Sequence, residues 1–528
     1  MPPVATRNMD RRRFLSLTTA AAAAWPFANM SQSIAADRRV RMKDNPFSLG
    51  VASGDPLPDG VVLWTRLCPE PLTPNGGMPP EDVQVNWQVS TNEAMTQIVR
   101  KGMVTAPADW AHSVHVEVDG LESDRVYWYQ FKHGTETSPV GRTRTAPRED
   151  VLLDQFRFAF ASCQHYEDGY FNAYQKMSQE DLRLVIHLGD YIYEGASRKK
   201  NKTRPREHAG PRLAELQDFR IRHAQYKLDP HLQATHAAFP WLVTWDDHET
   251  ENNYAGFIPQ KGKTSIEAFP QLRANAYKAY YEHMPLRRTA VPQGPNMQLY
   301  RNVVFGQLVQ FSVLDTRQYR SDQPCNDGIH SPCEEVFNPR STMLGETQEA
   351  WLQQKLVSSS SQWNVLAQQV PIARINYHRP ESTEELLISM DKWAGCDAAR
   401  RRLMKFFDES RITNPVVLTG DVHSNWVNDL RLDYDDVNAP TIGTEFVGTS
   451  ISSAGDGPRI PKDSAHVLSR NPAVKFYNRE RGYVRCEVTP QQWRSDYQVV
   501  EIVSQPNQPC VTRASYVVEN GRPGAVEG

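Results

Sequence analysis

Between residues 155 and 423 the chain repeats one pattern, a short apolar run that stops at a polar side chain. QFRFAFASC, LRLVIHLGD, WLVTWDDHE, QLVQFSVLD, WNVLAQQVP and PVVLTGDVH are six such runs. Runs apolar on both faces predict buried strands, because a strand with one solvated face alternates. Helical segments are expected between several of them, around 213–228, 265–284, 346–357 and 396–410. Strands alternating with helices predict a layered α/β architecture. Residues 196–212 and 320–342, rich in charge, Gly and Pro, read as irregular excursions.

The first part of the chain has a different texture. From about 45 to 147, GVVLWTRL, VQVNWQVS, HSVHVEVDGL and VYWYQFKHG alternate, with Gly, Pro, Asp and Asn turn signals between them. That spacing predicts a small all-β sandwich, immunoglobulin- or fibronectin-like. TRTAPRED (143–150) reads as the linker, dividing a β-domain at 37–147 from a catalytic domain at 148–528. Ahead of both, RRRFL (11–15) precedes an apolar stretch from Leu17 to Ala24 and the small residues Ser33, Ala35 and Ala36. A basic start, a short apolar run and a small-residue site make a removable export signal over 1–36. Its paired arginines specify the twin-arginine machinery as a partner, with a periplasmic or extracellular destination. Folded export allows a metal to be inserted before the protein leaves the cytoplasm. No later apolar stretch approaches the ~20 residues that span a bilayer, so no stable membrane anchor is expected.

Charge narrows the partners. With 59 basic against 62 acidic residues the chain lacks the basic excess of a nucleic-acid binder. The seven cysteines fit an oxidising compartment: Cys325 and Cys333 bracket CNDGIHSPC, a loop that a disulfide could close. Cys68, Cys396, Cys486 and Cys510 could pair too, in a connectivity the sequence leaves open. Setting these six aside leaves Cys163 as a free thiol or a ligand.

The residues that end the apolar runs share a chemistry. In order they are Cys163, Asp190 with Tyr193, Asp247 with His248, Gln369, and Asp421 with His423. Each alone has a plain explanation: a core thiol, a turn aspartate, a packed tyrosine, a helix cap, a solvated loop. Sheet topology, however, gathers such loops at the carboxyl edge of the strands, where α/β folds bind ligands. Several donors at one edge predict a metal site.

GDYIYE, WDDHE and GDVHSN resemble the binuclear metallophosphoesterases, whose general pattern is GD, GNHE and GHxH. With SCQ at the first strand, LGVASGDPLPDGVVLWTRL, LDTRQYR and FVGTSISS, the chain is similar to PhoD-type alkaline phosphatases. The resemblance implies a metallophosphoesterase-like catalytic domain and hydrolysis of phosphate mono- and diesters. By the purple acid phosphatase pattern it implies Fe³⁺ on Cys163, Asp190, Tyr193 and His423. The partner ion falls to Asp190 as bridge, Asp247, Gln369 and Asp421, an oxygen set that favours Ca²⁺. His248 matches the histidine of GNHE and is the expected proton donor to the leaving group, or else an orienter of Asp247. Arg317 and Arg320 read as structural salt-bridge residues. Two alternatives stay open: a phospholipase D-like phosphodiesterase acting on lipids or cell-wall diesters, and a non-catalytic cell-wall or glycan binder with structural metals.

Overall fold

The computed structural model describes residues 45–378, 380–436 and 438–528; the leader expected over 1–36 lies outside them. All six apolar runs form short strands, divided between two mixed sheets. Phe156–Ala161, Leu184–His187 and Pro240–Val243 lie parallel in the middle of a ten-stranded sheet. Val309–Val313, Trp363–Ala367 and Pro415–Thr419 lie parallel in a seven-stranded sheet, with Thr441–Val447 as their next parallel neighbour.

The sheets stack face to face around one apolar core, and each carries helices on its outer face. Leu216–Lys227 and Phe269–His283 cover the first sheet; Gly345–Val357 and Asp397–Glu409 cover the second. Every central strand is therefore buried on both faces, which explains its unbroken apolar run. Phe158 typifies the inter-sheet layer: fully buried, it meets Phe311 edge-on at 5.2 Å and Trp493 at 5.5 Å between ring centroids. Helix starts are encoded locally. Asp229 accepts from the N–H groups of His231 and Leu232, and Pro230 takes the first turn of Pro230–Ala238.

The N-terminal strands pack around their own core of Val61, Leu63, Val85, Val116, Tyr129 and Phe131. They are not detached from the catalytic layers. Val51–Leu57 pairs in parallel with Pro240–Val243, with Ser53 opposite Pro240 and Gly54 opposite Trp241. Val51–Leu57, Gly60–Arg66 and Ser113–Val118 thus extend the ten-stranded sheet, while Val83–Ser90, Ile98–Ala106, Val126–His133 and Gly141–Arg144 form the facing sheet. The expected linker is corrected by the same geometry. Thr143, Thr145 and Ala146 are buried, and only the stretch after Pro147 is exposed.

Cys325 and Cys333 form the expected disulfide. Among the described residues Cys68, Cys163, Cys396, Cys486 and Cys510 remain thiols, so the further pairings do not form. No described helix is long and apolar enough to cross a membrane.

Truncating Phe158 to alanine removes the aromatic centre of the inter-sheet core. It is expected to cost about 3–5 kcal/mol, read as a lower denaturant midpoint at unchanged m-value.

Candidate metal centre

The candidate residues sit on turns that directly follow the parallel strands. Four of them, Cys163, Asp190, Asp421 and His423, hold left-handed backbones with φ of +58°, +57°, +66° and +51°. Each such non-glycine residue costs of order 1–3 kcal/mol and persists only where its surroundings dictate it. The surroundings are visible. Cys163 N–H donates to Gly189 O and Gln164 N–H to Asp190 O, both at 3.0 Å. The Glu249 carboxylate accepts from three backbone donors, Asp190 N (3.1 Å), Tyr191 N (2.6 Å) and Asp246 N (3.0 Å). Burial lifts the Glu249 carboxyl to about 8, the backbone donors pulling the other way. Gly189, at φ +108°, passes so close to Asp246 that any β-carbon would overlap its backbone nitrogen.

The turns gather two donor groups that share one residue. Ligand atoms of Cys163, Asp190 and His423 lie within 4.8 Å of one another, and so do those of Asp190, Asp247 and His248. Tyr193 joins the first group: its hydroxyl donates to Asp190 Oδ2 at 2.7 Å and lies 3.3 Å from His423 Nε2. Ser453, from FVGTSISS, holds that hydroxyl from behind at 2.7 Å. Asp190 Oδ1 is buried without a hydrogen-bonding partner. Burial, joined by the Asp190 charge, pushes the Cys163 thiol well up; burial, joined by Arg481 and His248, lowers His423 to about 3. The histidine is a neutral donor.

His248 is of the opposite character. Burial alone would depress it, but the carboxylates of Glu194, Asp247 and Asp190 hold it well above its ordinary value. Its Nδ1 lies 2.7 Å from Glu194 Oε2, and its ring packs on Tyr193 with centroids 4.2 Å apart. These carboxylates favour the protonated ring, and Nδ1 being on Glu194 leaves Nε2 to act.

The carboxylates are balanced by buried cations: Arg317 and Arg320, in the salt-bridge role expected of them, and Lys392, which the sequence did not single out. Arg317, fully buried, donates to Asp246 (2.5 Å) and to both oxygens of Asp391 (2.7 and 3.0 Å). It also lies 3.5 Å from Asp247 and 3.6 Å from Asp421. Lys392 pairs with Asp421 and with Asp391. Arg320 pairs with Asp391, in keeping with its structural reading. Glu194, the last letter of GDYIYE, and Glu249, the last of WDDHE, carried a usable signal; Lys392 and Arg481 lie in stretches without any motif.

Gln369 departs from the expected ligand set. Its Oε1 accepts from Thr316 N and Oγ1 (3.2 and 2.7 Å), and its Nε2 donates to Thr244 Oγ1 and Leu314 O (2.8 Å each). Both lone pairs and both N–H groups are used. The side chain ties strand ends together and has no lone pair for an ion.

Residues 158–497 match the family model of the PhoD-like phosphatase, and residues 32–147 match the model of that family's N-terminal domain. The chain belongs to the PhoD-like phosphatase family. Over 522 residues it is 50% identical to alkaline phosphatase D of Bacillus subtilis (strain 168), covering 98% of this chain and 89% of that relative. The solved structure of PhoD matches it with a TM-score of 0.89 at 51% identity, over 92% of this chain and 93% of that one. The resemblance carried by the motifs is borne out, and the PhoD-like chain is a hydrolase of phosphate esters.

Gly189→Ala should break the turn that aims Asp190, both through its φ and through the overlap with Asp246. Phosphate-ester hydrolysis is expected to fall at least tenfold in kcat/KM, a loss of about 1.4 kcal/mol in transition-state stabilisation.

Proposed function

We propose that this PhoD-like phosphatase is an exported hydrolase of phosphate mono- and diesters whose centre holds Fe³⁺ and Ca²⁺. One observation carries the proposal: Asp190 lies within ligand reach of Cys163 and His423 and also of Asp247, and one of its oxygens is buried with no partner. Cys163, Asp190, Tyr193 and His423 would hold the iron. Thiolate, phenolate, carboxylate and imidazole suit a redox-capable ion. The thiol and phenol are kept protonated by burial and neighbouring carboxylates, so a strongly charged ion is what makes them ligands. Asp190, Asp247 and Asp421 would hold the calcium, an all-oxygen set for a hard ion. When bound, the two ions supply Lewis acidity to the phosphate and an acidified water.

The chain's own contribution is positioning and proton transfer. His248 Nε2 donates to the departing alkoxide, while Glu194 on Nδ1 fixes the ring and keeps it charged. A structural metal site has no need of such an acid, which weighs against the non-catalytic reading. Beside Asp421 and His423 lies a cavity of about 990 Å³, lined among others by Tyr377, Trp426, Lys462 and Arg479. That space far exceeds one phosphate and favours esters with a bulky second substituent, including the lipid or cell-wall diesters of the phospholipase D-like alternative. The leader over 1–36 supports export, and a small sheet facing three end strands of the ten-stranded sheet across one core supports an immunoglobulin- or fibronectin-like β-domain at 37–147.

Two measurements test the proposal. Elemental analysis of the purified protein should find iron and calcium, with a visible absorption band from thiolate or phenolate on ferric iron. Chelation should abolish turnover of monoesters and diesters, and added calcium should restore it. A colourless, active, iron-free protein would overturn the ion assignment. Replacing His248 by glutamine should lower kcat on alkyl esters by about 10²–10⁴-fold, and far less on nitrophenyl esters, whose leaving group needs no proton. Equal losses on both would remove it as the acid.

A further inference from the structure

The Cys325–Cys333 disulfide closes a small loop, at a sequence separation of 8, outside both donor groups. The loop nevertheless reaches the oxygen-rich half of the centre by two routes. In the first, Asp327 Oδ2 accepts from Asn253 Nδ2 at 2.7 Å, and the backbone N–H of Asn253 donates to Asp247 Oδ2 at 2.8 Å. In the second, Ile329 and His330 pair antiparallel with Ser389 and Ile388, and Met390 N–H donates to Gly328 O at 2.8 Å. The residues that follow, Asp391 and Lys392, are those that meet Arg317 and Asp421. Gln323, just before the disulfide, links the routes, donating to Asn253 O (2.8 Å) and to Asp391 Oδ1 (2.7 Å).

The shape of this loop depends on its closure. Cys325, Asn326 and Asp327 are left-handed in succession, with φ of +55°, +64° and +63°, and Gly328 follows at +86°. Non-glycine residues visit that region singly, so three in a row persist only under external constraint. Besides the disulfide, Cys325 N–H donates to Glu335 Oε2 (3.0 Å) and Asp327 N–H to Pro324 O (3.1 Å). Both cysteines rest on a small apolar cluster of Val336, Ile388, Met390 and Ala394, separate from the main cores.

We propose that the disulfide-closed loop positions the calcium ligands, with Asp327 acting through Asn253 on Asp247, and that the chain with both thiols reduced holds calcium weakly. The proposal rests on the calcium reading of Asp190, Asp247 and Asp421. Closure joins the two sulfurs and releases two protons and two electrons, which a protein disulfide takes up as it becomes a dithiol. The cytoplasm keeps thiols reduced. A chain folded there therefore gains its full calcium affinity only in an oxidising compartment.

The test uses the full chain, oxidised, with calcium affinity measured by calorimetry and hydrogen exchange measured over residues 247–254 without calcium. Asp327→Ala should weaken calcium binding about 10–100-fold, the usual cost of losing a group that orients a ligand. Asp327→Asn keeps an acceptor for Asn253 and should restore most of that affinity. The double substitution C325S/C333S should match the loss of D327A, and the two together should add little, as expected for one coupled device. Exchange over 247–254 should quicken in D327A and C325S/C333S while the strand Phe156–Ala161 stays protected. Wild-type affinity and unchanged exchange in both variants would overturn the proposal. Should the oxidised wild type bind no calcium, the ion assignment fails; exchange over 247–254 then decides the positioning role alone, quickening supporting it and constancy overturning it.

Discussion

The centre depends on the capture of three backbone N–H groups by Glu249. Its carboxylate joins the turn after Leu184–His187, which carries Asp190 and Tyr191, to the turn after Pro240–Val243, which carries Asp246 and Asp247. Together with the Cys163 and Gln164 N–H bonds to Gly189 O and Asp190 O, it holds Asp190 in its left-handed conformation. Gly189 makes room for the junction, and Gln369 repeats the device between Thr244, Leu314 and Thr316. Donors that look independent along the chain are thus rigidly referred to one another through side chains that bear no ligand atom.

Charge is arranged in the same economical way. Asp246, Asp247 and Asp391 are buried and converge with Asp421 at the cavity wall, and unpaired carboxylates there would be expensive. Arg317 and Lys392 answer them, and His248 answers Glu194, Asp190 and Asp247. The architecture keeps its carboxylates converged before any ion is considered. An ion entering beside Asp421 exchanges one positive partner for another; it does not have to create order.

Much of this was legible along the chain. Buried strands announce themselves as unbroken apolar runs, and helices filled the intervals close to where they were expected. The donors were legible because polar residues at strand ends must collect at one edge. Other features were not, for a common physical reason. Arg481 and Lys392 act through partners on other segments, and their local sequence has no motif, period or cap that reveals this. Gln369 was misread for the same cause: a polar residue at a strand end looks available until its neighbours on other strands are known. Likewise the linker reading of TRTAPRED followed from its composition, whereas its burial follows from which face of the β-domain meets Pro240–Val243.

The parallel pairing of Ser53 and Gly54 with Pro240 and Trp241 has a consequence for the molecule's solubility. Pro240–Val243 is fully buried and apolar, and without the N-terminal strands it would become the outermost strand of its sheet. An apolar outermost strand is a template for pairing with other chains. The β-domain is therefore an edge cover as well as an appendage. Cutting it away would leave the donor residues in sequence but turn the catalytic layers into a seed for aggregation.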